Sequence, residues 1–384
     1  MALVAHGIHD GGGMERAFAE LVRRIRNRYD VVVLSSDLGD DLRRLVEWRR
    51  VPVPRRPAPL RFALFYAIGG VRLALTRADV VHTLGAIVPN AVDVASVHFC
   101  TAGFVERVGR LGAPTAPLVR RVNTGLARAL FLAAERWTYR PGRVRRLGAV
   151  SRGVAAELAR NYPGIAPALT PNGVDTSRFR PDEAARRGVR TELGIAPDEV
   201  VALFVGGDWH GKGLALAVDA LARAQPRSPA GLRLLVVGDG DRRRFDALAR
   251  EHGVAEHVVF AGRRRDPERY YAAADVFLLP SWYETFSLAA FEAASSGLPV
   301  VASALNGVEE LLGDGRAGLL VPRDAESFAA ALAALASDPD LRRRLGTHAR
   351  DRASEYTWDR SAQAVEALYR SVLDGAPRPE AVFA

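Results

Sequence analysis

The chain has 384 residues, 48% of them hydrophobic, which is enough apolar material for two domains of ordinary size with separate cores. Its single cysteine excludes a disulfide framework and any cysteine-built metal cage, and suits a reducing compartment. The net charge of +9 is unevenly divided: residues 1–180 carry 28 arginines against 14 acidic residues, and the remainder has 25 basic against 30 acidic. Such a basic half implies an anionic partner, nucleic acid or an anionic membrane surface, or else a merely solubilising face. The arginines between Arg107 and Arg146 lack the aromatic spacing of a base-stacking platform, and there is no helix-turn-helix or zinc pattern. Nucleic acid is therefore not expected, and a membrane surface is the better fit. No secretory signal is visible at Met1–Ala5. The best candidate span, Phe62 to Val71, is ten uncharged residues, short of the roughly 20 needed to cross a bilayer.

Short β-branched runs alternate with longer helical patterns along the whole chain, which predicts parallel sheets with crossover helices. The first half gives strands at Ala2–His6, Asp30–Leu34, Val80–Thr83, Val92–His98 and Gly148–Val150. The turn Pro171-Asn172-Gly173-Val174-Asp175 and the arginine-rich stretch up to Pro197 then predict a hinge. The second half gives Val200–Val205, Leu232–Val237, Val258–Phe260, Val276–Leu279, Pro299–Ala302 and Gly318–Val321, with a final helix over Trp358–Leu373. The expectation is an α/β protein of two facing Rossmann-like, doubly wound domains with ligands in the cleft at the carboxyl ends of their strands.

Of the 53 basic residues, 52 are arginine, and the only lysine is Lys212. An ammonium is a compact point charge where a guanidinium is a broad planar fork, so a site that keeps lysine in this background needs a small cation. Lys212 ends the turn Gly206-Gly207-Asp208-Trp209-His210-Gly211-Lys212-Gly213 between a strand and a helix, which suits an anionic ligand, usually phosphate. A chance lysine on a solvated helix start is the bland alternative. Further on, Glu284 stands at the mouth of the strand Val276–Leu279, and a helix is expected from Thr285 on. The free N–H groups of Phe286, Ser287 and Leu288 would then face a ligand. Glu292 follows eight positions later, about 800° of helical rotation and so within about 80° of the same face. Carboxylates accept pairs of hydrogen bonds from vicinal diols, which suits sugar hydroxyls. A capping glutamate plus a solvated helix glutamate is the plain alternative.

Other residues carry less. Cys100 and His98 share a strand face, but a buried small residue accounts for the thiol better than a thiol–imidazole pair. His82 either lines an acceptor cleft or closes a strand, and His6 and His9 bracket the first loop, where they could touch an acceptor. Asp239 and Asp241 fit a strand-end turn better than a metal site, and Phe62–Leu75 fits a helix covering the first sheet better than a lipid-docking segment.

Taken together, several motifs resemble the retaining GT-B glycosyltransferases of the large glycosyltransferase family 4 type, the glycosyl transferases group 1. They are Gly12-Gly13-Met14-Glu15-Arg16, Val97-His98, Pro171-Asn172-Gly173-Val174-Asp175, the Gly206 to Gly213 turn, Val237-Gly238-Asp239-Gly240, Phe260-Ala261-Gly262 and the two-glutamate segment leading into Gly297-Leu298-Pro299. The resemblance spans nearly the whole chain. It implies an acceptor-binding domain over 1–178, joined by a C-terminal helix 357–384, and a nucleotide-sugar donor domain over 179–356. It implies that Lys212 neutralises the departing diphosphate, that Glu284 binds donor-sugar hydroxyls and Glu292 the ribose, and that Gly207, Thr285 and the amides of Phe286, Ser287 and Leu288 meet sugar or diphosphate. Arg263 would lie near the base, Gly12 and Gly13 would let the backbone approach the diphosphate, and His98 would steady positive charge at the anomeric centre. Lys212, Glu284 and His98 are thus the expected catalytic residues. No protein nucleophile, cofactor or metal is expected. The donor would be UDP- or GDP-linked, and the acceptor a glycan, glycolipid or small molecule of cell-envelope or natural-product biosynthesis. The site of action would be cytoplasmic or the inner face of the membrane. A nucleotide-sugar epimerase on the same scaffold is the alternative. One departure stands out: the family usually places an arginine shortly before its lysine, and residues 207–211 contain none. His210, an arginine from elsewhere, or the lysine alone must fill that role.

Overall fold

The computed structural model describes residues 1–109, 118–228 and 231–375. The outer end of the expected helix 357–384 and part of the Arg107–Arg146 stretch lie outside the described residues. In chain order the strands are β1 Ala2–Ile8, β2 Val32–Leu38, β3 Glu47–Arg50, β4 Val81–Leu84, β5 Val92–Val97, β6 Val144–Ala149, β7 Ala168–Leu169, β8 Val200–Val205, β9 Leu232–Val237, β10 Val258–Gly262, β11 Val276–Leu279, β12 Val300–Ala302 and β13 Gly318–Leu320. They form two sheets, ordered β3-β2-β1-β4-β5-β6-β7 and β10-β9-β8-β11-β12-β13, with parallel pairing throughout. Parallel neighbours require crossovers, which helices such as Gly13–Ile25 after β1 and Leu214–Ala224 after β8 supply. Each sheet is therefore a doubly wound unit. In the first, the strand order reverses between β1 and β4; in the second, between β8 and β11. Crossover helices leave to opposite faces at such a point, and the loops there open a crevice at the carboxyl edge.

The chain divides into two compact units, one of Met1–Gly173 with the chain from Trp358 on, the other of Val174–Thr357. Residues 174–178 go with the second unit because Val174 bridges Thr357 and donates its N–H to Tyr356 O at 2.8 Å. The first core joins Leu3, Val33 and Val94 of the sheet to Phe18 and Val22 of one helix and Leu368 and Tyr369 of the helix Trp358–Leu373. The second joins Ala202, Leu234 and Leu278 to the helices Leu214–Ala224 and Ala325–Ser337. Side-chain caps fix several helix starts: Ser151, Asp182, Asp241, Asp324 and Asp338 each accept from a backbone N–H inside the helix they precede. Asp241 is thus a capping residue, in keeping with the turn reading of that segment.

Two strands escape the sequence pattern. β3 reads Glu-Trp-Arg-Arg, with charges suited to its edge position beside β2, and β7 is only two residues long. His82 proves to be structural: fully buried, it lies between Tyr369 Oη at 2.6 Å and Ser96 Oγ at 2.8 Å. Cys100 is buried and caps the helix Thr101–Val108, and burial pushes its thiol pKa up to about 12. The helix Ala58–Ala74 buries Phe62, Phe65 and Leu73, the behaviour of a helix covering the sheet. The helix Leu118–Thr138 differs: Leu118, Val119, Val122 and Leu126 are 52–74% exposed. No helix among the described residues is long and apolar enough to cross a membrane.

Candidate active site

Lys212 follows β8 and Glu284 follows β11, so the two flank the reversal point of the second sheet. Close backbone packing brings their loops together. Gly213 has φ +80°, and a β-carbon there would lie 2.1 Å from Pro280 O, so only glycine allows the lysine turn to touch the glutamate loop. Trp282 N donates to Gly211 O at 3.0 Å across the same seam. Held in this way, Lys212 Nζ is 2.6 Å from Glu284 Oε1, which also accepts from Ser281 Oγ at 2.8 Å. Glu284 is 8% exposed and Lys212 28%. The ammonium therefore remains open to a ligand while its carboxylate partner is largely withdrawn from water.

In place of the expected arginine before the lysine, Trp209 is buried against Phe245 and Phe260 and donates its indole N–H to Gly206 O. Neighbouring His210 is exposed. One arginine packs on this turn from a distant part of the chain. Arg323, just after β13, donates from Nε to the carbonyls of Pro280 and Ser281, and its guanidinium lies 3.4 Å over the Trp282 ring. Its Nη2 would be 3.3 Å from a β-carbon on Gly213, so this guanidinium packs directly on the lysine turn.

The helix expected from Thr285 begins instead at Leu288. Ser287, at φ +59° and ψ +78°, is the only described non-glycine residue with positive φ, and this left-handed conformation stops the helix from extending backwards. The Glu284–Glu292 face relation therefore does not apply, because Glu284 sits on a loop. Such a conformation costs about 1–3 kcal/mol and persists only where packing imposes it. Here Phe286 stacks on Phe291 with centroids 4.2 Å apart, and Gly307 abuts the Phe286 backbone so closely that a β-carbon would lie 2.4 Å from its Cα. Ser287 Oγ and, after β12, Ser303 Oγ are buried without a hydrogen-bond partner. The Phe286, Ser287 and Leu288 amides precede the first intrahelical bonds of the helix Leu288–Ser295. Glu292, inside the helix Leu288–Ser295, is buried and accepts from Tyr271 Oη at 2.9 Å. Arg263 is exposed immediately after β10, and Gly207 is exposed in the lysine turn. Thr285 is half-buried beside Glu284.

In the first unit, Gly12 and Gly13 open the helix after β1. Glu15 folds back so that a β-carbon on Gly12 would meet its Oε2 at 2.2 Å. His9 Nδ1 accepts from Gly11 N at 3.0 Å and so shapes this loop. His98, just after β5, places Nε2 3.0 Å from Asn172 Oδ1, in the Pro171–Asp175 turn. Burial lowers its pKa to about 4, so the ring is neutral at pH 7. His6, wedged against Phe62 and Phe65, is pushed down to about 3 by burial and by Arg61. A cavity of about 340 Å³ opens at the β1/β4 reversal point, with His98, His6 and Glu15 on its wall.

The structure thus unites Lys212 with Glu284 and adds Ser281 and Arg323, which no sequence motif singled out. Ser281 was readable only as the break before Glu284, and Arg323 lies 111 positions from the lysine, with no local signal linking the two.

The family model described as Glycosyl transferases group 1 matches residues 199–338, and that described as Glycosyltransferase Family 4 matches residues 11–178. A D-inositol 3-phosphate glycosyltransferase of Acidothermus cellulolyticus is 33% identical, over 96% of this chain and 87% of its own length. Another, of Streptomyces bingchenggensis, is 30% identical over 77% and 70%. Among solved structures, WaaG, a glycosyltransferase involved in lipopolysaccharide biosynthesis, superposes with a TM-score of 0.80 at 25% identity, covering 98% of this chain and all of WaaG. Anabaena Alr3699/HepE in complex with UDP-glucose superposes at 0.71 and 20% identity, covering 96% and 99%.

Proposed function

The chain belongs to the group 1 glycosyltransferases of the family 4 type, has their GT-B fold, and from that premise we propose that it moves a sugar from a nucleoside-diphosphate sugar to an acceptor hydroxyl with retention of configuration. One observation carries the proposal: a lone ammonium and a nearly buried carboxylate share a 2.6 Å contact at the reversal point of a doubly wound sheet. Lys212 meets the negative charge that builds on the diphosphate as the sugar–oxygen bond breaks, which favours the transition state over the ground state. Glu284 accepts from a sugar hydroxyl through Oε2, which takes no part in its bonds to Lys212 and Ser281. The amides of Phe286, Ser287 and Leu288 donate to sugar or diphosphate oxygens. Glu292 binds the ribose alongside Tyr271, and Arg263, Gly207 and Thr285 complete the donor contacts. His98, Gly12 and Gly13 keep the roles that the family resemblance gives them. The positive charge comes from the protein, so no metal or other cofactor takes part. UDP is the first choice of nucleotide because it is the one bound in the HepE neighbour, with GDP second.

Proton NMR of the protein with UDP- and GDP-sugars, in EDTA, tests this reading. The donor should be consumed with release of nucleoside diphosphate, and the new linkage should keep the donor's anomeric configuration. Inversion, dependence on added metal, or conversion of the donor to its epimer would each overturn a stated part.

We also place the protein at the cytoplasmic face of a membrane, where acceptors of the cell envelope or of natural-product synthesis are presented. The exposed stripe Leu118, Val119, Val122 and Leu126, in a half of the chain rich in arginine, fits an anionic bilayer surface. The protein should float with phosphatidylglycerol vesicles and not with phosphatidylcholine. The doubly substituted Val122→Asp/Leu126→Asp protein should stay behind. Equal flotation of wild type and variant would refute the assignment of this helix.

A further inference from the structure

The cavity of about 340 Å³ in the first unit has a wall that does not match a bare polyol phosphate. Phe62, Ile87, Phe99 and Phe131 give it broad apolar surfaces. Glu135, also on the wall, is already saturated by the Thr101 and Ala102 amides and Tyr162 Oη. Glu15, also on the wall, lies beside Gly12 at the start of its own helix. The two imidazoles, His6 and His98, are neutral at pH 7. Arg55 and Arg61 also stand on the wall, and neither forms an ion pair among the described residues. Two arginines at one cavity, neither of them held in an ion pair, are suited to a phosphate or carboxylate, which their forks bind in pairs of hydrogen bonds. The apolar walls require a matching apolar body. A polyol buried against them would leave hydroxyls unpaired, at about 1–3 kcal/mol each.

We infer that this chain's acceptor is an anionic amphiphile: a hydroxyl-bearing apolar ring or chain whose phosphate or carboxylate is held by Arg55 and Arg61. The inference rests on reading the first unit as the acceptor domain, and it separates this chain from the inositol phosphate for which its relatives are named.

Titration calorimetry with 1-naphthyl phosphate, octyl phosphate, 1-naphthol and myo-inositol 1-phosphate tests it, with UDP binding measured in parallel. A ring-bearing acceptor predicts that naphthyl phosphate binds best, and a chain-bearing, lipid-derived one that octyl phosphate does. Either should bind at least tenfold tighter than naphthol and inositol phosphate. Arg55→Ala/Arg61→Ala, at exposed and half-exposed positions, should abolish that preference while leaving UDP affinity unchanged. Tighter binding of inositol phosphate, or an unaltered preference in the double variant, would overturn the acceptor class. If UDP itself fails to bind, the fault lies with the glycosyltransferase reading and not with the cavity.

Discussion

Replacing Lys212 by alanine is expected to lower sugar transfer by roughly 10²–10³-fold, the loss typical of removing one group that stabilises developing negative charge, with no loss of fold. Lys212 is 28% exposed and belongs to neither core cluster, so its removal opens no core cavity. Glu284 keeps Ser281 as a hydrogen-bond donor in the variant. Lys212→Arg should lose nearly as much. The lysine stem runs so close to Gly206 that a β-carbon there would meet Lys212 Cγ at 3.2 Å, and its Nζ ends 2.6 Å from a largely buried oxygen. A planar fork placed in that channel would have to give up either the Glu284 contact or the ligand. The expected reason for a lone lysine among 52 arginines is that a guanidinium should not serve at this position. Near-wild-type turnover by Lys212→Arg, measured as nucleoside diphosphate release, would falsify that explanation.

Glu284→Ala should cost transfer by a similar factor, for two combined reasons. Oε1 holds the ammonium in place, and Oε2 is the oxygen assigned to the sugar. Glu284→Gln isolates these effects, because the amide keeps the size and one acceptor oxygen but loses the charge that fixes Lys212. It is expected to retain donor binding within about tenfold and to lose most of its turnover, since the misplaced ammonium matters chiefly once charge develops. A Gln variant impaired only in KM would move Glu284 from the catalytic group to a simple binding role.

Much of this site was legible before the structure because it sits at strand ends. The alternation of β-branched runs with helical runs locates β8 and β11, and with them the positions of Lys212 and Glu284. The sheet order was not legible, since it depends on which strands pair, and only that order makes β8 and β11 neighbours and the two residues an ion pair. The expected helix start at Thr285 was displaced to Leu288 by a tertiary cause: packing of Phe286 on Phe291 and Gly307 holds Ser287 in a conformation that local propensity disfavours. The packing of Arg323 on the lysine turn is a similar case: it comes from the edge of the sheet order, and no spacing in the sequence links it to residues 207–211. β3 was missed because an edge strand made of Glu-Trp-Arg-Arg carries charge where the pattern looks for branched apolar residues.

The central claim is that Lys212 and Glu284 act as one unit on the departing diphosphate, and a double-mutant cycle on transfer rate tests it most directly. Lys212→Ala, Glu284→Ala and the double variant are compared with wild type under single-turnover conditions. If the pair works as a unit, the double variant will be no slower than the slower single variant, because the second substitution removes a partner already useless. Losses that simply multiply would contradict the account and would mean that the two side chains serve the reaction independently.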